Sequence, residues 1–470
     1  MLNANLETIG ANGSSDGAFA NCYSIRSIIC QGTIPPNMQS VAFNGVSKTN
    51  FIVEVPEGTV PNYQTALGWS DFKQITAHHE LVCVPSEACA LSSRHEQVIT
   101  VKSEGDWEVE SCPSWCKVSP TSGTNKTAVT LTINNLGATS GDRKGSVVFR
   151  LKDKDYRYSC TVTQYGYKHD EDEVLTLQKA TKGRNGGINI VFIGDGYSAK
   201  DLSNDNYLQT ARQEAEHLFA VEPYKTYRDY FNVYVMFPLS IESGIGSLNK
   251  TTYNRFGTTY TNGAGLKADY DEIFSYVQKV PTVNQGNIAQ TLIVVIPNTT
   301  DHDGYTQMWN DGRAISFCPV SSHAYPYDTR GVVQHEVGGH AFGKLADENV
   351  THNAFIDNCH CGCCKHTSEI TFGKSLGWYD NISLTNKADR VPWSHLIYNP
   401  KYSNLVDIYE GAFKHSRGIF RSEQNSCMNN KVPYFNTISR ESIVKRIMRY
   451  AGETFTYADF FTNDKITSQQ

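Results

Sequence analysis

The sequence predicts a multidomain protein that ends in an α/β domain with a mixed sheet. Two short apolar runs, residues 188–193 and 292–296, are bounded by glycine or proline and predict buried strands. Between them, residues 204–219 and 267–280 have helix-like spacing, and such alternation of strands and helices is typical of α/β domains. Upstream, residues 91–166 contain five segments that alternate at the strand period, with turns between them, which predicts a β-sandwich.

Length and composition agree with several domains. The 470 residues exceed one ordinary domain, and we expect boundaries that give residues 1–80 as a repeat-like fragment, 81–90 as a linker, 91–166 as the sandwich and 167–470 as the α/β domain. The formal charge of −6 gives no basic field for nucleic acid. The sequence contains no apolar run of eighteen residues, so we expect no transmembrane segment.

Residues 335–348, which read HEVGGHAFGKLADE, contain the residue types of a hydrolytic zinc centre. The neutral imidazoles of His335 and His340 can bind the metal, and the carboxylate of Asp347 can complete the ligand set. Glu336, beside the first histidine, can take a proton from a zinc-bound water that acts as nucleophile. The familiar form of this motif is H-E-x-x-H on a helix, and here it is one residue longer.

The extra residue changes the direction of the second histidine. An α-helix turns by about 100° per residue, so a spacing of four leaves two side chains roughly 40° apart and a spacing of five roughly 140° apart. A π-bulge absorbs one inserted residue and restores a common face. Gly338 and Gly339 lie where this bulge would form and offer little steric resistance to it. We therefore predict a bulged zinc helix.

The third ligand is expected beyond the end of this helix. Gly343 follows His340 by three residues, where a helix can end in a left-handed turn. The chain could then return Asp347 to the metal, as the third ligand of the metzincin pattern HExxHxxGxxH/D returns. That pattern puts its ligand one residue earlier, at a position that is Ala346 here. Other candidates that the sequence leaves open are Glu348, His352 and His360.

A second segment resembles an element of metzincins. Residues 426–428, Ser-Cys-Met, resemble the Met-turn, whose methionine packs beneath the zinc ligands and does not bind the metal. Tyr434 follows Met428 by six residues, and its hydroxyl could hydrogen-bond a developing oxyanion or a substrate carbonyl. The alternative for Tyr434 is an ordinary packed tyrosine.

Several motifs in the expected order make residues from about 185 to 450 resemble the bacterial IgA peptidase family of zinc metallopeptidases. These motifs are INIVFIGDGY at 188–197, the block at 219–244, RAISFCP at 313–319, HEVGGHAFGKLADE, SCMN, and PYFNTISRESIV at 433–444. The doubled glycine and Asn349, where an aromatic residue is more usual, depart from the family. The resemblance implies a metzincin-like fold in which residues 313–320 are an edge strand that pairs with an extended substrate.

The two N-terminal segments also resemble known modules. Residues 53–75 resemble the closing part of bacterial leucine-rich repeats, whose faces are buried by stacking on neighbouring repeats. Trp107, Trp115 and the Val-Thr-Gln at 162–164 resemble the BACON module, a family proposed to bind carbohydrate or mucin. Aromatic residues of a sandwich also form its core, so a spacer that holds the catalytic domain off the cell surface is the other interpretation.

The cysteines leave one question open. The chain has 13 cysteines, so at least one has no intrachain partner. The cluster at 359–366, CHCGCCKH, could be a second zinc site, but its one-residue gaps are tighter than the spacing of structural zinc sites. We expect a disulfide-pinned or partly free loop.

These observations predict a zinc-dependent endopeptidase that hydrolyses an extracellular protein or glycoprotein. The alternative is a non-catalytic surface adhesin or glycan-binding protein with a metallopeptidase-like fold, although Glu336 would have no purpose there. We expect a secreted or cell-surface location. Residues 1–14 are polar and glycine-rich, unlike a signal peptide, so we expect the natural polypeptide to begin upstream.

Overall fold

The computed structural model describes residues 2–10, 17–78, 80–137, 141–261, 265–300, 303–358 and 365–466. The chain divides into two compact units. The first comprises Met1–Ala88, Glu96–Ile133 and Lys144–Val162, and the second comprises Cys89–His95, Asn134–Arg143 and Thr163–Gln470.

The elements are numbered in chain order. The strands of the N-terminal and sandwich segments are β1 Thr8–Ile9, β2 Ser27–Ile29, β3 Asn37–Met38, β4 Ile52–Pro56, β5 Gln74–His78, β6 Leu81–Val84, β7 Glu87–Ala90, β8 His95–Ser103, β9 Trp107–Ser111, β10 Cys116–Ser119, β11 Ser122–Gly123, β12 Thr127–Ile133, β13 Arg143–Leu151 and β14 Arg157–Gln164. The remaining strands are β15 Val174–Gln178, β16 Ile188–Asp195, β17 Phe231–Met236, β18 Thr259–Tyr260, β19 Leu266–Lys267, β20 Leu292–Pro297, β21 Tyr305–Met308, β22 Ala314–Phe317, β23 Val350–Phe355, β24 Ile382–Ser383, β25 Tyr409–Ala412 and β26 Lys414–Arg421. The α-helices are α1 Val60–Thr65, α2 Ala199–Leu202, α3 Asn206–Phe219, α4 Tyr270–Val277, α5 Thr329–Val333, α6 His366–Ser375, α7 Ser394–Ile397, α8 Cys427–Asn430, α9 Thr437–Ala451 and α10 Tyr457–Asn463, with 3-10 turns at Arg228–Tyr230 and Ile288–Gln290 and a π-helix at Gln334–Phe342.

In the N-terminal part of the first unit, short parallel strands lie side by side. Strands β2, β4 and β5 form a three-stranded sheet in which Ile28, Val53 and Ile75 are register partners. All three side chains are buried in one cluster with Tyr63 and Trp69. A stacked parallel ladder of this kind is how repeats bury their apolar faces. The resemblance of this segment to leucine-rich repeats remains a prediction.

The second part of the first unit is the predicted β-sandwich. One antiparallel sheet has the strand order β10-β12-β8-β6, and the other contains β11, β9, β13 and β14. The expectation of a linker at residues 81–90 was wrong in its first half, because β6 at residues 81–84 pairs with β8 in the sandwich. Trp107 is fully buried and makes an edge-to-face contact with Phe149, with ring centroids 5.5 Å apart. Because this indole lies in the core, it does not offer a surface platform for sugar. The position of Trp107 therefore agrees with the interpretation that the aromatic residues form the core of the sandwich.

The second unit contains the predicted mixed sheet, with six strands in the order β15-β17-β16-β20-β22-β21. The four central strands are parallel, and β15 and β21 pair antiparallel to their neighbours at the two edges. The expectation of an edge strand at residues 313–320 was wrong, because β22 lies between β20 and β21. The strand at the edge next to β22 is β21. The sequence did not predict it, because it has only four residues and follows directly on polar loop residues.

Both faces of this sheet are covered, and every residue of its four central strands is buried. Along β16, Ile190 and Phe192 join one apolar cluster, whereas Val191 and Ile193 join the other. The first cluster includes residues of α3, α5, α9 and the π-helix, and the second includes residues of α4. The π-helix therefore packs on one face of the sheet. None of the described helices is both long enough and apolar enough to span a bilayer.

Candidate metal centre

The HEVGGH motif lies in a π-helix, Gln334–Phe342, that directly continues α5. The Gly343 N–H donates to the Gly338 carbonyl oxygen over 3.1 Å, a five-residue step. Because a π-helix closes its turns with such i→i+5 hydrogen bonds, residues five apart lie on one face. The predicted widening of the helix is confirmed, but it extends through nine residues instead of a single bulge.

The two glycines of the motif permit close packing of this helix. A Cβ atom on Gly339 would lie 2.1 Å from the Sδ of Met428, and one on Gly338 would lie 3.0 Å from a ring carbon of Tyr224. Met428 is fully buried and therefore lies directly against the helix backbone, as the Met-turn resemblance predicted. The Tyr224 hydroxyl donates to the Gly338 carbonyl oxygen over 2.6 Å.

The structure brings the three expected metal ligands together. The Nε2 atoms of His335 and His340 are 3.1 Å apart, and they lie 3.1 Å and 3.4 Å from Oδ1 of Asp347. The Nδ1 atoms contact the carbonyl oxygens of Cys427 and Leu345, each over 2.9 Å. Since a carbonyl oxygen only accepts, both Nδ1 atoms carry a proton, so Nε2 is the nitrogen of each ring through which a metal could bind, in place of a proton.

The electrostatics of this group favour positive charge. Burial opposes protonation of His340, but Asp347 and then Glu336 outweigh it and raise the pKa of His340 to about 9. Burial would raise the pKa of Asp347, yet the two imidazoles hold it well below its usual range. Two imidazoles and one carboxylate with ligand atoms within 4.8 Å of one another fit the donor set of a catalytic zinc site.

Glu348, an alternative ligand, lies in a separate buried network. Its carboxylate accepts hydrogen bonds from Ser426 (2.5 Å), Asn381 (2.9 Å) and Asn436 (2.7 Å). Burial raises its pKa to about 7. The Glu348 N–H donates to the carbonyl oxygen of Met428 over 2.8 Å. Glu348 therefore ties the loop that carries Asp347 to residues 426–428, and of these two carboxylates Asp347 is the one that reaches the histidines.

The side chain of Glu336 lines a cavity of about 610 Å³ together with His335, His340 and Asp347. Its Oε2 accepts a hydrogen bond from the hydroxyl of Thr306 over 2.7 Å. A Cβ on the neighbouring Gly304 would lie 2.6 Å from the Cγ of Glu336, so the loop before β21 approaches this carboxylate closely. The arrangement places a carboxylate beside the three ligands, in a position to accept a proton.

The structure does not bring Tyr434 to this cavity. Its side chain is only 2% exposed, and its hydroxyl donates to Glu423 over 2.6 Å. The expected hydrogen bond to an oxyanion or a substrate carbonyl is not supported by this position, because the hydroxyl already has a buried carboxylate as its acceptor. The placement matches the alternative of a packed tyrosine.

Among the cavity-lining residues that the sequence did not single out are two neighbours of the catalytic candidate Glu336. Tyr305 and Thr306 belong to the edge strand β21, and both border the cavity. Burial, followed by the charge of Glu336, raises the pKa of Tyr305. Nothing in the local sequence distinguishes these residues, since their position depends on the pairing of β21 with β22.

The remaining candidates from the sequence have different outcomes. His352 lines the same cavity but is not part of the ligand group around Asp347. His360 and the cysteines of the 359–364 cluster lie outside the described residues.

Comparisons with known proteins agree with this geometry. Residues 176–358 match the model of the IgA peptidase M64 family, a match that includes His335, Glu336, His340 and Asp347. Residues 105–165 match the model of BACON, described as an N-terminal binding domain. None of the curated proteins matches the chain.

Similar solved structures add no functional argument, because their TM-scores are low. A GH5 xyloglucanase of Bacteroides ovatus in complex with a XXXG heptasaccharide is 18% identical, with a TM-score of 0.18, and the match covers 23% of this chain and 26% of that one. WR4, an MSP family member of C. elegans, is 12% identical with a TM-score of 0.15, over 19% and 98% of the two chains. A family 123 glycoside hydrolase from Clostridium perfringens, which hydrolyses glycolipid glycans, is 11% identical with a TM-score of 0.13, over 44% and 43%. The chain thus spans about a quarter of the first of these structures.

The metal-ligand geometry and the family matches point the same way: residues 176–358 are similar to the IgA peptidase M64 family, and residues 105–165, which precede them, are similar to the BACON family.

Proposed function

We propose that this protein is a zinc-dependent endopeptidase. The observation that carries the proposal is the convergence of His335, His340 and Asp347 in a cavity that Glu336 also lines. Zinc bound there would supply a Lewis acid that lowers the pKa of water and polarises a carbonyl. The family match supports a peptidase and gives no support to the alternative of a non-catalytic adhesin.

Glu336 is the general base in this proposal. Its carboxylate is held by the Thr306 hydroxyl over 2.7 Å and accepts a proton from the attacking water. The same carboxylate then delivers that proton to the leaving amine. We assign Tyr434 no part in the reaction, because its hydroxyl is buried against Glu423.

The edge strand β21 is the proposed docking site for the substrate backbone. One side of β21 pairs with β22, and no strand among the described residues pairs with its other side. An extended peptide can add to such an edge through main-chain hydrogen bonds. Because Tyr305 and Thr306 of β21 border the same cavity as Glu336, a peptide added there would run past the carboxylate.

The accessory segments agree with an extracellular protein or glycoprotein as substrate. We propose that the first unit is an accessory part of the protein, with its sandwich serving as a spacer or as a contact for carbohydrate or mucin. The BACON match supports a binding role for the sandwich. We propose a secreted or cell-surface location on the same grounds.

The substitution Glu336→Gln tests the assignment of the base. It removes the proton acceptor and keeps nearly the same shape, so we expect a loss of at least a hundredfold in kcat with unchanged zinc content. The matched control is Glu216→Gln, the same change on an α3 side chain that is 61% exposed, which should cleave at the normal rate. Cleavage of denatured casein and zinc content by mass spectrometry provide the measurements. Undiminished cleavage by Glu336→Gln would refute the assignment of Glu336 as general base. Loss of zinc from this variant would show that Glu336 is itself needed for zinc binding.

A further inference from the structure

We propose that the cavity selects an aromatic side chain of the substrate, in a position that flanks the scissile bond. This inference rests on the proposed peptidase function and adds a substrate class to it. The residues that carry it are Met308, Tyr379 and Phe413, which line the same cavity as Glu336 and the three candidate metal ligands. They are contributed by β21, by the segment after α6 and by the turn between β25 and β26.

The first observation is that these three side chains form one apolar surface. Tyr379 is a buried member of a cluster with Ala346, and Met308 and Phe413 pack against that cluster. Both Met308 and Phe413 are half-buried and line the cavity, so part of the cluster is accessible from the cavity. A largely apolar wall near a few placed polar groups is typical of a binding site.

The second observation is the position of this surface relative to the metal centre. The Phe413 N–H donates to the Asp347 carbonyl oxygen, and the Tyr379 N–H donates to the Lys344 carbonyl oxygen, each over 2.9 Å. Both aromatic residues are therefore tied through the main chain to the loop that carries Asp347. A side chain bound against them belongs to a substrate residue close to the metal centre.

The third observation is the aromatic character of the surface. The rings of Tyr379 and Phe413 have centroids 6.1 Å apart and planes at 64°, and those of Phe413 and His366 are 5.6 Å apart at 69°. Aromatic rings attract a further ring at such separations. The thioether of Met308 also makes favourable contacts with a ring. These three rings and the thioether favour an aromatic occupant.

A charged occupant is disfavoured by the same surroundings. A charged side chain would lose hydration against the rings and the methionine. The charged residues that line the cavity outside the metal centre are Lys414 and Glu369, which have opposite signs. They therefore provide no common attraction for one sign of charge.

The fourth observation concerns the turn that presents Phe413. It is a two-residue hairpin in which Ala412 and His415 pair, and Phe413 and Lys414 have φ values of 47° and 66°. Such hairpins normally have asparagine, aspartate or glycine at these positions, because other residues are strained there. A large ring at such a position is explained if the ring itself has a role, here as a wall of the cavity.

Mapping of cleavage sites tests the preference in the wild type. Denatured casein is digested with the zinc-loaded full chain, and the fragments are identified by mass spectrometry. We expect phenylalanine, tyrosine or tryptophan to be enriched at one of the positions that flank the cleaved bond. Cleavage without this enrichment, or with enrichment of aliphatic or basic residues instead, would overturn the inference and leave the proposed peptidase function standing. Absence of chelator-sensitive cleavage would refute the proposed function, and this inference with it.

The variant Phe413→Ala tests the assigned surface. Two quenched peptides that differ only in phenylalanine or alanine at the mapped position give a ratio of kcat/KM values. We expect the wild type to prefer the phenylalanine peptide by about tenfold or more, and Phe413→Ala to reduce this ratio to about threefold or less. Phe413→Leu keeps an apolar side chain of similar size and should give an intermediate ratio, so the test does not depend on the folding of the alanine variant.

The matched control is Tyr398→Ala. It removes a ring that is 79% exposed directly after α7 and that is not among the residues lining the cavity. Its ratio should equal that of the wild type. An unchanged ratio in both Phe413 variants, or an equal fall in Tyr398→Ala, would overturn the role of Phe413.

Discussion

Replacement of Gly339 by alanine tests whether the packing of Met428 against the π-helix requires glycine at position 339. The new Cβ would lie 2.1 Å from Sδ and 2.9 Å from Cε of Met428, and Met428 is fully buried, so its side chain must repack. Overpacking of a core costs about 1–3 kcal/mol, whereas exchange of glycine for alanine in a helix returns about 0.5–1 kcal/mol. We expect a net loss of about 1 kcal/mol in the free energy of unfolding, within a range of about 0–2.5 kcal/mol.

The clash depends on Met428, so a double-mutant cycle isolates it. Met428→Ala alone should cost about 2–5 kcal/mol, because it leaves a cavity in the core. In that background Gly339→Ala no longer meets Sδ and should be neutral or stabilising, which gives a compensating coupling of about 1–3 kcal/mol. Urea unfolding of the four proteins, followed by circular dichroism, measures the cycle.

Gly338→Ala is the matched control in the same helix. The three atoms nearest to its Cβ would belong to Tyr224, Leu218 and Phe435, so we expect the effect of Gly338→Ala to be the same with either residue at position 428. If Gly339→Ala lowers the free energy of unfolding as much in the Met428→Ala background as in the wild type, a clash with Met428 is not the cause of the destabilisation and the reasoning is refuted.

Two further substitutions test the surroundings of the metal centre. Burial lowers the pKa of Lys344 from 10.5 to about 7. Between these pH values the amine is protonated in the unfolded state but not in the folded state. The free energy of unfolding should therefore rise with pH from about 7 to 10.5, by up to about 1.4 kcal/mol per pH unit. The variant Lys344→Met should lack this pH-dependent gain in the free energy of unfolding. Identical slopes of the free energy of unfolding against pH in the variant and the wild type would contradict the role of Lys344. Thr306→Val removes the hydrogen bond to Glu336, and since a hydrogen bond to a charged group contributes about 1.5–3 kcal/mol, we expect kcat to fall by about tenfold or more with KM changed less than twofold. A change confined to KM would instead assign Thr306 to substrate binding.

The mixed sheet could be predicted from local sequence because its central strands are buried on both faces. Strands β16 and β20 contain unbroken apolar runs at residues 190–193 and 292–296, and such runs next to glycine or proline residues are typical of buried strands. The edge strand β21 could not be found in this way. Its four residues are half-buried, and only their pairing with β22 makes them a strand.

The metal centre likewise has one feature that the sequence could predict and one that it could not. The spacing of His335 and His340 allowed only a widened helix if both were to bind one ion, and the π-helix agrees with this. The position of Tyr434 had no such constraint, because six residues of chain after Met428 can reach either the cavity or the core. The structure places its hydroxyl against Glu423, a contact between residues that no short motif links.

The sequence by itself determined the two histidines, the adjacent glutamate and the need for a widened helix, because helical geometry relates residues a few positions apart. Tertiary structure alone decided which carboxylate turns toward the histidines, which strand forms the edge beside Glu336 and which other histidines share the cavity. Those outcomes depend on contacts between segments far apart in the chain, such as the Met-turn against Glu348 and the hairpin that presents His415. The position of a side chain in such contacts is fixed by the packing of whole elements, and local spacing carries no record of it.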